Sequence, residues 1–147
     1  MRKLATTLLL AFSMTAIADD AVDRTKLIGS WQLEQGSDKD GSLWTLESKG
    51  DDIHIVHSSG SQTVTDFACN TVGKDCDVTN AGRHVKISMW YNGPKLVQFE
   101  TRGSEVTKLR FGVTGQGDTM EVEVIPVVPA GKTEILQFKR VTTSARK

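Results

Sequence analysis

The sequence predicts an all-β protein: a single antiparallel up-and-down meander of about nine strands that closes into a barrel after a short N-terminal helical turn. Two observations predict this fold class. Turn residues interrupt the chain at short intervals from residue 27 onward, and the apolar residues between them alternate with polar ones. A meander with one apolar face must curl or pair to bury that face, and closure also removes exposed edges. No repeat or linker divides the chain, so we predict one domain.

The N-terminus is typical of a cleavable signal peptide. Residues 2–3 are basic, residues 4–17 are predominantly apolar, and residues 16–18 offer small side chains at a cleavage site. The apolar stretch is short for a membrane span, and two aspartates follow it at once. We therefore expect removal of residues 1–18, a barrel domain over residues 19–147, and a periplasmic or secreted protein. We expect no integral membrane segment to remain.

Net charge argues against a nucleic-acid partner. The chain has 18 basic and 18 acidic residues, and two of the basic ones lie in the signal peptide. The mature protein is then slightly acidic, and its basic residues are interleaved with acids. Because phosphate-binding surfaces need clustered Lys and Arg, we expect no binding to nucleic acid.

Two cysteines, Cys69 and Cys76, lie in the exported part of the chain, in a polar stretch that contains glycine. In an oxidising compartment this spacing predicts a disulfide that closes a local loop. A redox-active pair usually has two residues between its cysteines, so that alternative fits less well. The loop-entropy relation gives the disulfide about 2.5 kcal/mol of stabilisation.

The second half of the chain lets the strands be paired, because each pair must keep its apolar residues on one face. Around the turn at residues 92–94 this rule places Met89 opposite Val97 and Ile87 opposite Phe99. The same rule predicts further pairs along the meander: Phe99 with Leu109, Leu109 with Val122, Phe111 with Met120, Val122 with Leu136, and Met120 with Phe138.

The inward face predicted in this way supplies candidate residues for lining a ligand cavity. All are apolar or aromatic: Leu46, Ile55, Met89, Tyr91, Phe99, Phe111 and Met120. Trp90 precedes Tyr91 and therefore points outward. An outward Trp at a strand end indicates either packing or a contact patch, and both interpretations remain open.

We predict no metal site and no cofactor. Within residues 36–47, Asp38 and Asp40 have the spacing of calcium ligands in an EF-hand loop, but strand-like sequence flanks the segment where helices are required. A hairpin turn explains the segment more simply. His54 and His57 lie three apart, and on a strand they point to opposite faces, so they cannot easily share a metal.

Sequence motifs of catalysis are absent, so we expect no enzymatic activity. The chain has no Gly-x-Ser-x-Gly elbow and no phosphate-binding glycine loop before a helix. Once the disulfide forms, no cysteine is free to act as a nucleophile. The serines near His57 lie in a turn-rich segment, where they need no catalytic explanation.

The segment over residues 23–33, which contains Gly29-Ser30-Trp31, resembles the opening of the lipocalins and their calycin relatives. In that superfamily a helical turn leads into a Gly-x-Trp strand, the Trp plugs the closed end of the barrel, and an Arg near the last strand packs over it. The resemblance implies structural roles for Trp31 and Arg140. A guanidinium stacked on an indole contributes about 0.5 to 2 kcal/mol.

Residues 87–94 and 121–126 are also similar to small exported bacterial lipocalin-like proteins. That resemblance covers most of the mature chain and implies the barrel without any particular activity.

The sequence therefore supports two functional hypotheses. The first is an exported, non-enzymatic binding protein that holds a small hydrophobic ligand in the barrel. The alternative is a structural or protein-interaction module of the cell envelope with a filled core. The volume of the barrel interior distinguishes them.

Overall fold

The computed structural model describes residues 24–36, 41–80, 82–114 and 116–141. The predicted signal peptide lies outside the described residues, as do residues 37–40 of the segment that was tested for calcium spacing. Among the described residues, no helix is long and apolar enough to cross a bilayer.

Ten antiparallel strands form one sheet, which confirms the predicted all-β meander with one strand more than the nine expected. Short turns close the hairpins whose connections are described in full, and glycines with positive φ lie in most of them. The fifth strand has only five residues and begins at a disulfide cysteine, so its sequence is typical of a loop. The strands are β1 Gly29–Gln35, β2 Ser42–Lys49, β3 Asp52–Ser59, β4 Gln62–Asn70, β5 Cys76–Asn80, β6 Arg83–Asn92, β7 Lys95–Arg102, β8 Glu105–Thr114, β9 Thr119–Val128 and β10 Glu134–Arg140.

The sheet curls until its two edge strands, β4 and β5, face each other across a seam. Strand order runs β4-β3-β2-β1-β10-β9-β8-β7-β6-β5. The first strand of the meander, β1, therefore pairs directly with the last, β10. The predicted Cys69–Cys76 disulfide is confirmed and joins β4 to β5 with a Cα–Cα distance of 5.9 Å. At the other end of the seam, Asn80 Nδ2 donates to Thr65 Oγ1 at 3.0 Å. The strands β4 and β5 are not paired with each other in the sheet. The disulfide and the Asn80–Thr65 hydrogen bond connect them and so close the barrel.

A helical turn at residues 24–27 covers one end of the barrel, which we call the lower end. Trp31 is fully buried there, and its indole Nε1 donates to the Leu27 carbonyl at 3.0 Å. The Arg140 guanidinium carbon lies 4.1 Å from the Trp31 ring centroid. The same guanidinium donates to the backbone carbonyls of Lys26, Ile28 and Gly117. This is the arrangement that the resemblance implies for Trp31 and Arg140.

Tyr91 also lies near the lower end, half-buried and packed against the core. The Arg24 guanidinium carbon sits 4.6 Å from its ring centroid, and Arg24 Nε donates to the Gly93 carbonyl at 2.9 Å. Burial raises the pKa of Tyr91 above its ordinary value, and the nearby Arg24 charge opposes that rise. These contacts attach the N-terminal turn to the β6–β7 hairpin.

The last hairpin has the predicted register, with Val122 paired to Leu136 and Met120 to Phe138. In the β8–β9 hairpin the predicted faces are right and the partners are shifted by two residues, because Phe111 pairs with Val122. A shift by two keeps each side chain on its face.

The predicted register of the β6–β7 hairpin is wrong by one residue. The turn is tighter than expected: Asn92 pairs with Lys95, so Met89 lies opposite Gln98 and Ile87 opposite Glu100. A shift by one turns every side chain of β7 to the other face. Phe99 therefore points outward, where its ring stacks on Trp90 at a centroid distance of 5.3 Å. The prediction that Phe99 lines the lumen is wrong, and the prediction that Trp90 points outward is confirmed.

Candidate functional site

The lower half of the barrel is filled with apolar side chains. Four of the predicted lining residues lie in this core and are fully buried: Leu46, Met89, Phe111 and Met120. They pack with Trp31, Leu27 and Phe138 in one continuous cluster. None of the four lines either cavity described below, so in this structure they form the floor on which the site rests.

Above this floor lies a small cavity, here called the inner cavity, which encloses about 40 Å³. That space holds no more than a few water molecules. Ile55, one of the predicted lining residues, forms part of its wall. The wall is half apolar and half polar and is formed by Trp44, Ile55, His57, Thr65, Phe67, Val78, Asn80, Ile87, Gln98 and Glu100.

A second cavity of about 290 Å³ opens at the end of the barrel opposite the helical turn, and we call it the mouth cavity. It is lined by Glu100, Arg102, Glu105, Thr107, Leu109 and Val124. Glu100 belongs to both cavities, and its Oε1 accepts from Arg102 Nε at 2.6 Å. This ion pair therefore stands between the inner cavity and the mouth.

Trp44 forms one wall of the inner cavity. Its ring stacks on His57, with centroids 4.7 Å apart and an interplanar angle of 22°. On the side of the core it meets Phe111 at 5.7 Å and Phe138 at 5.9 Å. His57 is in turn fixed by Ser42, whose Oγ lies 2.9 Å from His57 Nε2. Packed rings on three sides hold the indole in one orientation.

Gln98 reaches the same cavity from β7 and is 97% buried, since only 3% of its surface is exposed. Among the described residues, neither Gln98 Oε1 nor Trp44 Nε1 has a hydrogen-bond partner, although both atoms are buried. Buried polar atoms in folded proteins are nearly always hydrogen-bonded. Two exceptions in one cavity make it the candidate site, because a water molecule or a ligand group in the cavity would supply the missing partners.

The sequence pattern did not predict the polar residues of the lumen. Sequence reasoning put Phe99 inside and its polar neighbours Gln98 and Glu100 outside, because an apolar residue is the better guess for a core position. The turn could have indicated the correct register. A two-residue connection at residues 93–94 pairs Asn92 with Lys95, and this pairing turns Gln98 and Glu100 inward.

The two histidines of β3 lie on opposite faces, as predicted. His57 faces the lumen, and His54 faces outward between two carboxylates, Glu47 Oε2 at 3.3 Å and Asp66 Oδ1 at 2.5 Å. Among the described residues, no group of His, Cys, Asp and Glu side chains is arranged to hold a metal ion. Glu47, the last residue of the segment with EF-hand-like spacing, is the sixth residue of β2, and that segment enters the strand at Ser42.

Comparison with known proteins identifies the fold. A scan against protein-family models and a search of curated proteins gave no match. Solved structures do match: a Schistosoma mansoni fatty acid binding protein in complex with arachidonic acid is 20% identical, with a TM-score of 0.67 over 82% of this chain and 99% of that one. A secretory abundant heat soluble protein from Ramazzottius varieornatus is 13% identical, with a TM-score of 0.68 over 79% and 96%.

Human cRBP IV gives a TM-score of 0.61 at 18% identity over 78% of this chain and 98% of that one. At these identities the likeness concerns the fold alone. The chain therefore has the calycin-type β-barrel fold of the fatty-acid-binding proteins.

Proposed function

We propose that this protein is an exported, non-enzymatic binding protein that holds a compact apolar molecule in the upper half of its barrel. The observation that carries the proposal is the inner cavity, with its buried, unpartnered polar atoms beneath an open mouth. From Gln98 to Arg102 the wall of β7 rises four residues, or about 13 Å, which sets the depth available to a ligand. The names of the structural neighbours, which include fatty acid binding and transport, support a binding role.

Binding requires the Glu100–Arg102 ion pair to swing aside, because Glu100 separates the two cavities. Both partners of the pair are long and flexible, and Arg102 lies at the last position of β7. A partly exposed ion pair contributes on the order of 1 kcal/mol or less, so burial of a few methylene groups offsets its loss.

Export is the second part of the proposal. It is supported by the basic, apolar and small-residue segments of the N-terminus and by the disulfide, which persists in oxidising compartments. Mass spectrometry of the protein purified from the periplasm or medium tests it. We expect a mature N-terminus at Asp19, and a protein retained in the cytoplasm with Met1 intact contradicts it.

The binding proposal is tested by titration with N-phenyl-1-naphthylamine, a neutral apolar fluorophore. Val78 lines the inner cavity and Thr79, its neighbour on β5, is exposed on the outer face. Val78→Phe fills the cavity, and we expect it to weaken probe binding about tenfold, or 1.4 kcal/mol. Thr79→Phe adds the same ring outside and should leave binding unchanged. A wild-type protein that shows no saturable binding contradicts the proposal.

One observation favours the alternative of an interaction module. Val72 is 68% exposed and forms a β-bridge to Trp90, whose ring stacks on Phe99, so an apolar patch lies on the outer face beside the seam. The inner cavity, at about 40 Å³, is also small. This alternative predicts that wild type and Val78→Phe alike fail to bind the probe saturably.

A further inference from the structure

The two unpartnered atoms of the inner cavity have opposite hydrogen-bonding character. Trp44 Nε1 carries a hydrogen and can only donate, whereas Gln98 Oε1 can only accept. Both atoms are buried, both side chains line the inner cavity, and neither atom has a partner among the described residues. With the Gln98 amide in this orientation, a group that completes the site offers an acceptor to Trp44 and a donor to Gln98.

A hydroxyl oxygen, of water or of an alcohol, meets this requirement, since it accepts through a lone pair and donates through its hydrogen; an apolar alcohol that displaces the water also buries apolar surface. A carboxylate does not meet it in this amide orientation, because an ionised carboxylate only accepts and would turn lone pairs toward the Gln98 oxygen. A hydrocarbon leaves both protein atoms unsatisfied. The geometry thus separates three classes of apolar ligand by their polar end.

Charge leads to the same conclusion. Among the described residues that line the inner cavity there is no lysine or arginine, and the charged member of the wall is Glu100, an anion. The guanidinium of Arg102 belongs to the mouth cavity and is engaged by Glu100 through both Nε and Nη2. A carboxylate that entered the inner cavity would lose its hydration without gaining a cation.

We infer that the upper barrel selects a neutral, hydroxyl-bearing apolar molecule, with the hydroxyl bound between Trp44 Nε1 and Gln98 Oε1. The inference rests on the proposed binding function and specifies its ligand class. The apolar remainder of the ligand then lies against Ile55, Phe67 and Ile87 and extends toward the mouth.

The test compares 1-octanol with octanoate by isothermal titration calorimetry at pH 8, where octanoate is ionised. We expect octanol to bind at least about tenfold more tightly. Gln98→Leu should remove that preference, and a circular dichroism spectrum and urea unfolding midpoint close to those of wild type show that the barrel still forms. Gln32→Leu is the matched control, because Gln32 is exposed on the outer face of β1, and it should change neither ligand.

A second readout needs no variant. In the NMR spectrum of the wild-type protein, octanol should shift the indole N–H signal of Trp44, and the signal of Trp31, which is already bonded to the Leu27 carbonyl, should stay in place. Octanoate that binds as tightly as octanol overturns the inference and leaves the proposed function standing. If neither octanol, octanoate nor the probe binds, both the proposed function and the inference are overturned.

Discussion

Gly29 lies directly beneath the guanidinium of Arg140 at the lower end of the barrel. A Cβ at this position would be 2.5 Å from Arg140 Nη1, and the backbone φ of 143° is one that residues with a side chain rarely adopt. The guanidinium cannot move away without losing its three carbonyl partners and its contact with Trp31. The glycine of the Gly-x-Trp motif thus makes room for the arginine.

Gly29→Ala should lower the free energy of unfolding by about 2 kcal/mol or more, because it combines backbone strain with displacement of Arg140. Gly50→Ala is the matched control: its φ is 60° and nothing lies within 4 Å of the added Cβ, so only the left-handed backbone costs energy, about 1 kcal/mol. Urea unfolding measures both. Equal losses in the two variants would show that the contact with Arg140 is unimportant.

His54 gives the outer face a pH-dependent contact. Its hydrogen bond to Asp66 is the main cause that raises the pKa of His54 above 6.5, desolvation opposes the rise, and a second hydrogen bond to Glu47 adds to it. Because the folded protein favours protonated His54, this stabilisation is fully present below about pH 6.5 and is lost as the pH rises through the folded-state pKa.

Substitution of His54 by Gln should therefore destabilise the protein at pH 6 and have less effect at pH 8.5. The loss at pH 6 should stay below about 1 kcal/mol, since the side chains of Glu47 and Asp66 are 58% and 59% exposed and solvent screens them. Asp66→Asn should reproduce most of the change. An NMR titration that gives His54 a pKa at or below 6.5 would refute this account of the contact.

At the scale of the elements, the seam between β4 and β5 is the place where the barrel lacks backbone hydrogen bonds. The disulfide holds its lower end and the Asn80–Thr65 hydrogen bond holds the end near the mouth. Thr65 and Phe67 of β4, with Val78 and Asn80 of β5, also wall the inner cavity. The ligand cavity therefore lies behind the least-bonded part of the sheet.

Replacing both cysteines by alanine should cost about 2.5 kcal/mol of stability through the greater entropy of the unfolded chain. The native state should also loosen locally, and hydrogen exchange should speed up in β4 and β5 more than in β8 and β9, which share the longest hairpin. Mass spectrometry of exchanged peptides distinguishes the two regions. A uniform increase over all strands would mean that the disulfide does not hold the seam.

The all-β meander and the disulfide followed from alternation and spacing. The β9–β10 register followed because the pairs Val122–Leu136 and Met120–Phe138 are apolar and inward. The β6–β7 register was not predicted correctly. Alternation puts Phe99 inward, whereas in the structure its neighbours Gln98 and Glu100 face inward. Pattern reasoning assumes an apolar interior, so it fails where the lumen is polar, and that is where the candidate site lies.

At the scale of the whole molecule, the barrel divides into a solid lower half and an upper half with the two cavities. Trp31, Phe111 and Phe138 are among the fully buried side chains that fill the lower half. The fold is shared with proteins whose names include fatty acid binding, and in the described part of the barrel the inner and mouth cavities both lie in the upper half. A compact ligand with a neutral polar end fits that space better than a long chain does.

The most direct test of this account is the affinity of a series of 1-alkanols, from hexanol to hexadecanol, measured by displacement of N-phenyl-1-naphthylamine. Each added methylene should strengthen binding by about 0.8 kcal/mol, roughly fourfold, while it is buried in the upper barrel. The gain should stop at about eight to ten carbons, where the 13 Å depth is filled. Affinity that keeps rising through hexadecanol, or no displacement by any alkanol, would contradict the account.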